Sequence, residues 1–274
     1  MDRRITAARP DLAARHLEGL VEAERFVEGE AMRVGVPRLG LRLDCSKTAA
    51  YDSELLYGEP FTVYDERDSL AWGQSGWDGY VGWVRAEALE PAEPTDHHVC
   101  VPVAQLYAGP GLKQAPVGEV PFLARVAVTA QEGRWVEVDG RAWMSGRHLR
   151  AGAPDAKDWV AVAEAMLGAP YLWGGRTPLG LDCSALVQLA RMAAGHICPR
   201  DSDMQMEEGR AVEGPLRRGD LMFWKGHVGI LRDAETLLHA NAFHMACVSE
   251  PLELAVDRIA AQGDGPVTAT RRFR

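Results

Sequence analysis

Residues 171–184 read YLWGGRTPLGLDCS and place a cysteine at the end of a loop that contains three glycines. The segment that follows, ALVQLARMAA at 185–194, has the composition and apolar spacing of a helix. Cys183 therefore stands where a loop turns into a helix. Backbone N–H groups at a helix start favour an anion, so they lower a thiol pKa and can hold an oxyanion. The stretch predicts a catalytic nucleophile; the alternative is a buried structural thiol.

Size and charge limit the class of protein. The chain has 274 residues and a formal net charge of −9 at pH 7. This length predicts two or three domains, and the acidic balance argues against general nucleic-acid binding. The sequence has no apolar window near the roughly 18 residues of a membrane span, and its N-terminus lacks the apolar core of a secretory signal peptide. We expect a cytoplasmic protein with neither nucleic-acid nor membrane partners.

Cysteine usage argues against covalent or metal cross-links. The sequence has an odd number of cysteines and no CxxC pair; they are Cys45, Cys100, Cys183, Cys198 and Cys247. This pattern predicts neither a disulfide framework nor a zinc site, and we expect no bound metal.

The chain before residue 153 divides into an arm and two β-rich modules. The apolar spacing from Pro10 to about Val27 predicts a helix, and we assign 1–40 to a helical arm. Short β-rich runs then alternate with turns. Gly58-Glu59, Trp83 and Leu89 recur sixty positions later as Gly118-Glu119, Trp143 and Leu149. This repeat predicts two small β-barrels, at 41–94 and 95–152.

Residues 153–274 have an α+β pattern. A helix is predicted at 155–167, before the glycine loop and the Cys183 helix. The runs at 215–224, 227–233, 236–243 and 266–273 read as strands of one antiparallel sheet.

A cysteine nucleophile needs a histidine base and a group that orients that histidine. His227 begins an apolar strand after the turn Lys225-Gly226, and His239 lies one strand later. If these strands form a hairpin, His239 can fix the tautomer of His227. His244 is the rival orienting residue, but it follows the end of the strand. We predict Cys183 as nucleophile, His227 as base and His239 as its orienting partner.

These residues resemble a known family. YLWGG at 171–175, DCS at 182–184, GDL at 219–221 and GHVG at 226–229 look like motifs of NlpC-type cysteine peptidases, which have a papain-like core. The resemblance covers about 155–274 and implies that the third catalytic residue is His239. Tyr171 is a candidate oxyanion donor through its hydroxyl.

The two β modules resemble bacterial SH3-like domains. Tandem SH3-like domains before this core are similar to γ-D-glutamyl-L-diamino-acid endopeptidases, of dipeptidyl-peptidase VI type. The resemblance implies a small murein peptide, L-Ala-γ-D-Glu-diamino acid, as substrate. The peptide would be cut after γ-D-Glu without a cofactor, and a free N-terminal L-Ala would be required. With no leader visible, we expect a role in murein recycling.

The resemblance also implies substrate contacts. Asp201 would anchor the free ammonium with Tyr80 beside it, and Ser184 and Ser202 would hold the α-carboxylate of D-Glu. Asp182 would brace the loop or contact substrate. From residue type alone, Tyr80 is equally a barrel-core residue and Asp201 equally a helix cap.

Three other functions stay open. An exported peptidoglycan hydrolase acting on intact wall would tolerate a blocked N-terminus. A non-catalytic wall-peptide-binding module would keep the fold without the chemistry. An acyltransferase or amidase could use the same cysteine and histidine.

Overall fold

The computed structural model describes residues 1–46, 48–263 and 265–273. The chain divides into two compact units, Met1–Ala153 and Pro154–Arg274. The first unit is built from strands, and the second joins α-helices to an antiparallel sheet. The expected architecture of small all-β modules followed by an α+β domain is confirmed. Within the described residues, no helix has the length and apolar character needed to span a membrane.

The N-terminal segment is not helical, so the predicted helical arm is wrong. It forms a small sheet of β1 (Ala8–Arg9), β2 (Leu12–Ala14) and β3 (Phe26–Val27). Leu12 is fully buried in a cluster that includes Trp72 and Trp83. The Arg9 guanidinium lies 4.4 Å from the Trp72 ring centroid, within cation–π range. Packing on these indole rings outweighs the helical spacing of the apolar residues.

The first barrel begins before residue 41, because two of its strands lie in the segment assigned to the arm. Val34 and Leu39 from those strands are buried with Phe61 and Val84 in its core. The sheet order is β10-β4-β7-β8-β9, and β5 pairs with β6. The strands are β4 (Glu30–Val34), β5 (Arg38–Leu41), β6 (Ser53–Leu56), β7 (Pro60–Arg67), β8 (Leu70–Ser75), β9 (Val81–Arg85) and β10 (Leu89–Pro91).

The second barrel has a related plan, with sheet orders β13-β12-β17-β16-β15 and β14-β11-β18. Its core is a separate apolar cluster that includes Val99, Val126 and Met144. The strands are β11 (His97–Val99), β12 (Val103–Tyr107), β13 (Pro116–Pro121), β14 (Arg125–Val126), β15 (Val128–Glu132), β16 (Trp135–Val138), β17 (Ala142–Ser145) and β18 (Leu149–Ala151).

The internal repeat is confirmed in part. The 3-10 turns Ala86–Ala88 and Gly146–His148 lie sixty positions apart, each just before the repeated leucine. The Gly-Glu match is a coincidence, because Gly58 lies in a turn with φ +74° while Gly118 lies inside β13. Leu123, with φ +66°, takes the place of Gly58 in the second barrel. The first halves of the two barrels therefore align with a different sequence offset from their second halves.

The second unit carries the sheet order β21-β26-β22-β23-β24-β25. The four strands predicted in this unit all belong to that sheet and pair antiparallel, as expected. The elements are α1 (Trp159–Glu164), β19 (Arg176–Thr177), β20 (Gly180–Leu181), α2 (Cys183–Ala193), α3 (Ser202–Met206), β21 (Arg210–Ala211), β22 (Asp220–Trp224), β23 (His227–Leu231), β24 (Thr236–Asn241), β25 (Ala246–Pro251), α4 (Leu252–Ala261) and β26 (Ala269–Arg272).

Gly58 makes a close contact between the two barrels and provides a stability test. A Cβ at Gly58 would lie 2.0 Å from the carbonyl oxygen of Arg125. Gly58→Ala should therefore add a steric clash to the roughly 1 kcal/mol strain of a positive φ. Gly133→Ala is the matched control, because Gly133 also has a positive φ but no atom lies within 4 Å of its Cβ position. Hydrogen exchange of barrel amides should show a larger loss of stability for Gly58→Ala; equal losses would contradict the close contact.

Candidate active site

The predicted nucleophile occupies the first position of α2. Cys183 begins the helix, Asp182 is its N-cap, and the Asp182 carboxylate accepts a hydrogen bond from Ala185 N–H at 2.8 Å. The sulfur-bearing side chain is only 7% exposed. The loop before it turns through Gly174, whose φ is +74° and whose N–H also donates to Asp182. The carboxylate thus joins the loop to the helix that carries the thiol.

A buried arginine, which was not expected from the sequence, completes this arrangement. Arg200 is 1% exposed, and its Nη2 lies 2.6 Å from Asp182 Oδ2. Its Nη1 donates to Asp182 Oδ1 and to the Ser184 hydroxyl at 2.9 Å. Ser184 also donates to Asp182. Of the two roles predicted for Asp182, the structure shows the bracing one; the substrate contacts of Asp182 and Ser184 stay predictions.

The two predicted histidines lie against each other. His227 Nε2 is 2.8 Å from His239 Nδ1, and His239 is fully buried. His244 instead turns to the side chain of Asn241. Gly229 lies two residues after His227 and faces His239. A Cβ at Gly229 would lie only 3.3 Å from the Cβ of His239, so glycine lets the two strands approach closely here. The geometry therefore places His239, and not His244, at the orienting position.

The thiol lies beside the strand that begins with His227. Backbone N–H groups of Val228 and Ser184 point to the sulfur and act to lower its pKa. Burial outweighs them and, together with the Asp182 charge, raises the pKa of Cys183 to about 12. The prediction that the helix start leaves this pKa low is therefore wrong. Desolvation of the charged form is the larger effect.

The neighbouring base is also held neutral. Burial lowers the pKa of His227 to about 3, His239 and Arg258 act in the same direction, and Glu250 opposes them. At neutral pH both groups are therefore uncharged, and the imidazole keeps a lone pair that can accept the thiol proton during attack. This differs from a resting thiolate–imidazolium pair.

Tyr171 lies close enough to Cys183 and Asp182 for their charges to act on its hydroxyl. Burial, followed by the charges of Cys183 and Asp182, raises the pKa of Tyr171, so its hydroxyl stays protonated and able to donate. Tyr171, His227 and His239 line one cavity of about 410 Å³. Lys225 and Arg258 give this cavity a positive wall, and Phe243 an aromatic one. The cavity can accept a polar group beside the two histidines.

Asp201 and Ser202 lie at the start of α3. Asp201 occupies the N-cap position of this helix, which agrees with the helix-cap alternative, although its side chain makes no capping hydrogen bond. Ser202 is the first helical residue. Gln205 ties α3 to the nucleophile helix by donating to the Ser184 carbonyl at 2.9 Å. Substrate binding by Asp201 and Ser202 stays a prediction.

Tyr80 lies in the first barrel. Its side chain is 2% exposed and is buried with Leu39, Phe61 and Val84. Its backbone N–H donates to Asp78. These contacts agree with the barrel-core alternative for Tyr80, and its contact with substrate stays a prediction.

Glu250 is a second residue of the site that was not expected from the sequence. Its Oε1 lies 2.7 Å from His239 Nε2 and also pairs with Arg258. Recognising β25 as the hairpin partner of β24 would have brought this carboxylate to His239. In the described parts of the chain, no group of three or more His, Cys, Asp or Glu side chains is arranged to hold a metal ion.

Comparison with known proteins relates the site to a family. Residues 168–253, which include all three predicted catalytic residues, match the NlpC/P60 family. Residues 42–89 match the bacterial dipeptidyl-peptidase Sh3 domain. The two matches cover the first barrel and the region of the candidate active site separately.

Two sequence relatives and one solved structure that resemble this chain come from bacilli. Over 183 residues, or 59% of this chain, it is 31% identical to the γ-D-glutamyl-L-lysine dipeptidyl-peptidase of Bacillus subtilis. Over 199 residues, or 63% of the chain, it is 30% identical to the protein of that name from Bacillus cereus. The chain covers 60% of the length of each relative. A crystal structure of an NlpC/P60 family protein from Bacillus cereus has the same fold, with a TM-score of 0.74 and 20% identity over 89% of this chain and 99% of that one.

The charge state of Cys183 can be tested by alkylation. Because the thiolate is the reactive species, iodoacetamide at pH 7 should modify buried, neutral Cys183 at below about one tenth of the rate of exposed Cys45. The Cys183 rate should rise as pH increases, since more of its thiol ionises. Peptide mapping by mass spectrometry separates the sites, and buried Cys247 is the reference for a thiol outside the site. Faster labelling of Cys183 than of Cys45 at pH 6–7 would indicate a resting thiolate instead.

Proposed function

We propose that the protein is a cysteine endopeptidase that cuts murein stem peptides between γ-D-Glu and the diamino acid. The observation that carries this proposal is Cys183 at a helix start, beside a strand that presents His227 braced by His239. The names of the bacillus relatives support the γ-D-glutamyl bond as the target. The match to the NlpC/P60 family supports cysteine-peptidase chemistry.

In the acylation step, Cys183 Sγ attacks the γ-carbonyl carbon while its proton moves to His227. Nδ1 of His227 is the nitrogen available for this proton, because Nε2 faces His239. The oxyanion lies near backbone N–H groups at the start of α2 and the Tyr171 hydroxyl. When the C–N bond breaks, His227 returns the proton to the leaving amine.

In the deacylation step, water takes the place of the diamino acid. His227 removes a proton from this water as it attacks the thioester carbon. The C–S bond then breaks, the sulfur regains a proton from His227, and L-Ala-D-Glu is released. Neutral His227 acts as base in both half-reactions, which agrees with the direction in which burial moves its pKa.

The requirement for a free L-Ala amine forms part of the proposal. Asp201 would bind the ammonium through a charge-assisted hydrogen bond. Ser184 and Ser202 would bind the α-carboxylate of D-Glu. Ser184 suits this role because Arg200, which bonds its hydroxyl, adds positive charge behind it.

The proposal extends to murein recycling in the cytoplasm. A stem peptide gains a free L-Ala amine when it is detached from its glycan strand. An enzyme that requires this amine therefore acts on small soluble fragments and not on intact wall. The net charge of −9 supports a role without nucleic-acid or anionic-membrane partners.

The proposal is tested with L-Ala-γ-D-Glu-L-Lys, the corresponding diaminopimelate peptide, and N-acetylated forms of both. The wild type should release L-Ala-D-Glu from the free-amine peptides, with at least about 100-fold lower kcat/KM on the acetylated forms. Cys183→Ala should abolish cleavage. Cys247→Ala removes another buried thiol of the same unit and should retain it. Products are measured by liquid chromatography and mass spectrometry.

The other outcomes separate the alternatives. Equal cleavage of free and acetylated peptides would indicate a wall hydrolase and contradict the role of Asp201. Binding without cleavage would indicate a peptide-binding module. Transfer of the acyl group to an added amine in place of water would indicate a transferase.

A further inference from the structure

Glu250 lies behind the histidine pair. It belongs to β25, the antiparallel neighbour of β24, in which His239 pairs with Val248. Glu250 Oε1 lies 2.7 Å from His239 Nε2, so the two are hydrogen-bonded. His239 is fully buried, and its two ring nitrogens face Glu250 and His227.

The carboxylate determines where the protons of both rings lie. An ionised carboxylate only accepts, so it requires N–H on the His239 nitrogen that it contacts. A neutral imidazole carries one N–H, which leaves His239 Nδ1 as an acceptor. His227 Nε2, 2.8 Å away, must then donate to it. The remaining lone pair of His227 is on Nδ1, the nitrogen that the proposed mechanism uses as base.

We propose that Glu250 is a positioning residue that fixes the tautomers of His239 and, through it, His227. The inference rests on the proposed peptidase function, which it deepens by naming the group that makes His227 Nδ1 the base. Glu250 acts through His239 and is not itself in contact with the substrate. Loss of its acceptor allows His239 to place its proton on Nδ1, which no longer accepts from His227.

Arg258 holds Glu250 in the ionised state that this role requires. The Arg258 guanidinium pairs with Glu250 Oε1, the same atom that accepts from His239. It also stacks over the Phe243 ring at 4.6 Å from the centroid, which fixes its position. The hydrogen bond from His239 and the charge of Arg258 both keep the pKa of Glu250 below its ordinary value. The carboxylate therefore stays an acceptor near neutral pH.

The same arrangement assists the reaction as charge develops. When His227 accepts the thiol proton it becomes an imidazolium that shares Nε2–H with His239 Nδ1. The partly exposed carboxylate of Glu250 lies one ring away and stabilises that positive charge through the hydrogen-bonded chain. Arg258 balances the carboxylate in the resting state, so His239 has no need to be protonated.

The tautomers are tested first by NMR, which does not depend on activity. ¹⁵N-histidine protein at pH 7 should show His239 with hydrogen on Nε2 and His227 with hydrogen on Nε2. Signals are assigned from single His→Gln variants. Glu250→Leu should move the His239 proton to Nδ1 in a measurable fraction of molecules. A wild-type His239 with hydrogen on Nδ1 would overturn the inference.

Kinetics then test the consequence. A wrong tautomer of a directly contacting histidine costs about 10⁴ in kcat in serine proteases. Glu250 acts one residue further away, so Glu250→Leu should lower kcat about 10- to 100-fold with KM unchanged. Glu250→Gln keeps a carbonyl acceptor and should lose less. Wild-type kcat in Glu250→Leu would overturn the positioning role.

Glu253→Gln is the matched control. Glu253 is an exposed acid in the first turn of α4, three residues along the chain, and its removal changes the net charge by the same amount. It should leave kcat and both tautomers unchanged. Equal loss from Glu253→Gln and Glu250→Gln would attribute the effect to general charge and overturn the inference. If wild-type protein cleaves no peptide, the proposed function fails while the NMR result still decides the tautomers.

Discussion

The buried ion pair of Asp182 and Arg200 is the constraint on which the site depends. Asp182 accepts hydrogen bonds from the glycine loop, from the first turn of α2 and from Ser184, while Arg200 neutralises it at 2.6 Å. An unpaired carboxylate at this depth would be strongly unfavourable, and so would unpaired N–H groups at the helix start. The pair resolves both problems together. It fixes where the loop ends, where α2 begins and where the sulfur of Cys183 lies.

The second constraint is the hairpin that brings the histidines together. His227 starts β23 and His239 lies near the end of β24, with Ile230 opposite Leu238 between them. Gly229 lets the two strands pack here without a clash, since a Cβ at this position would lie 2.7 Å from Leu237 Cδ1 and 3.3 Å from His239 Cβ. A larger residue at 229 would require Leu237 to shift. Packing of the hairpin thus positions His227, the base. Glu250, held by Arg258, determines which nitrogen of His227 carries the proton.

Local patterns in the sequence predicted much of the candidate site and of the sheet that carries it. The loop-to-helix junction at Cys183 and the strands of its sheet follow from glycine placement and alternation, which act over a few residues. The helix predicted in the N-terminal segment is wrong because Leu12 packs on indole rings about sixty residues away, an interaction that no local pattern reveals.

Arg200 and Glu250 were missed for the same reason. Their partners are distant in sequence, and an isolated charge usually indicates a solvated surface. The pKa of Cys183 was misjudged because burial, which only the fold determines, outweighs the helix start.

The proposed mechanism requires that Cys183 forms a covalent bond to the γ-carbonyl carbon of D-Glu. Rapid acid quenching of the reaction with L-Ala-γ-D-Glu-L-Lys, followed by peptide mapping, detects such a bond. We expect an L-Ala-D-Glu thioester on the peptide that contains Cys183, formed before free L-Ala-D-Glu appears and absent in Cys183→Ala. Product release with no adduct, or an adduct on another residue, would contradict the mechanism.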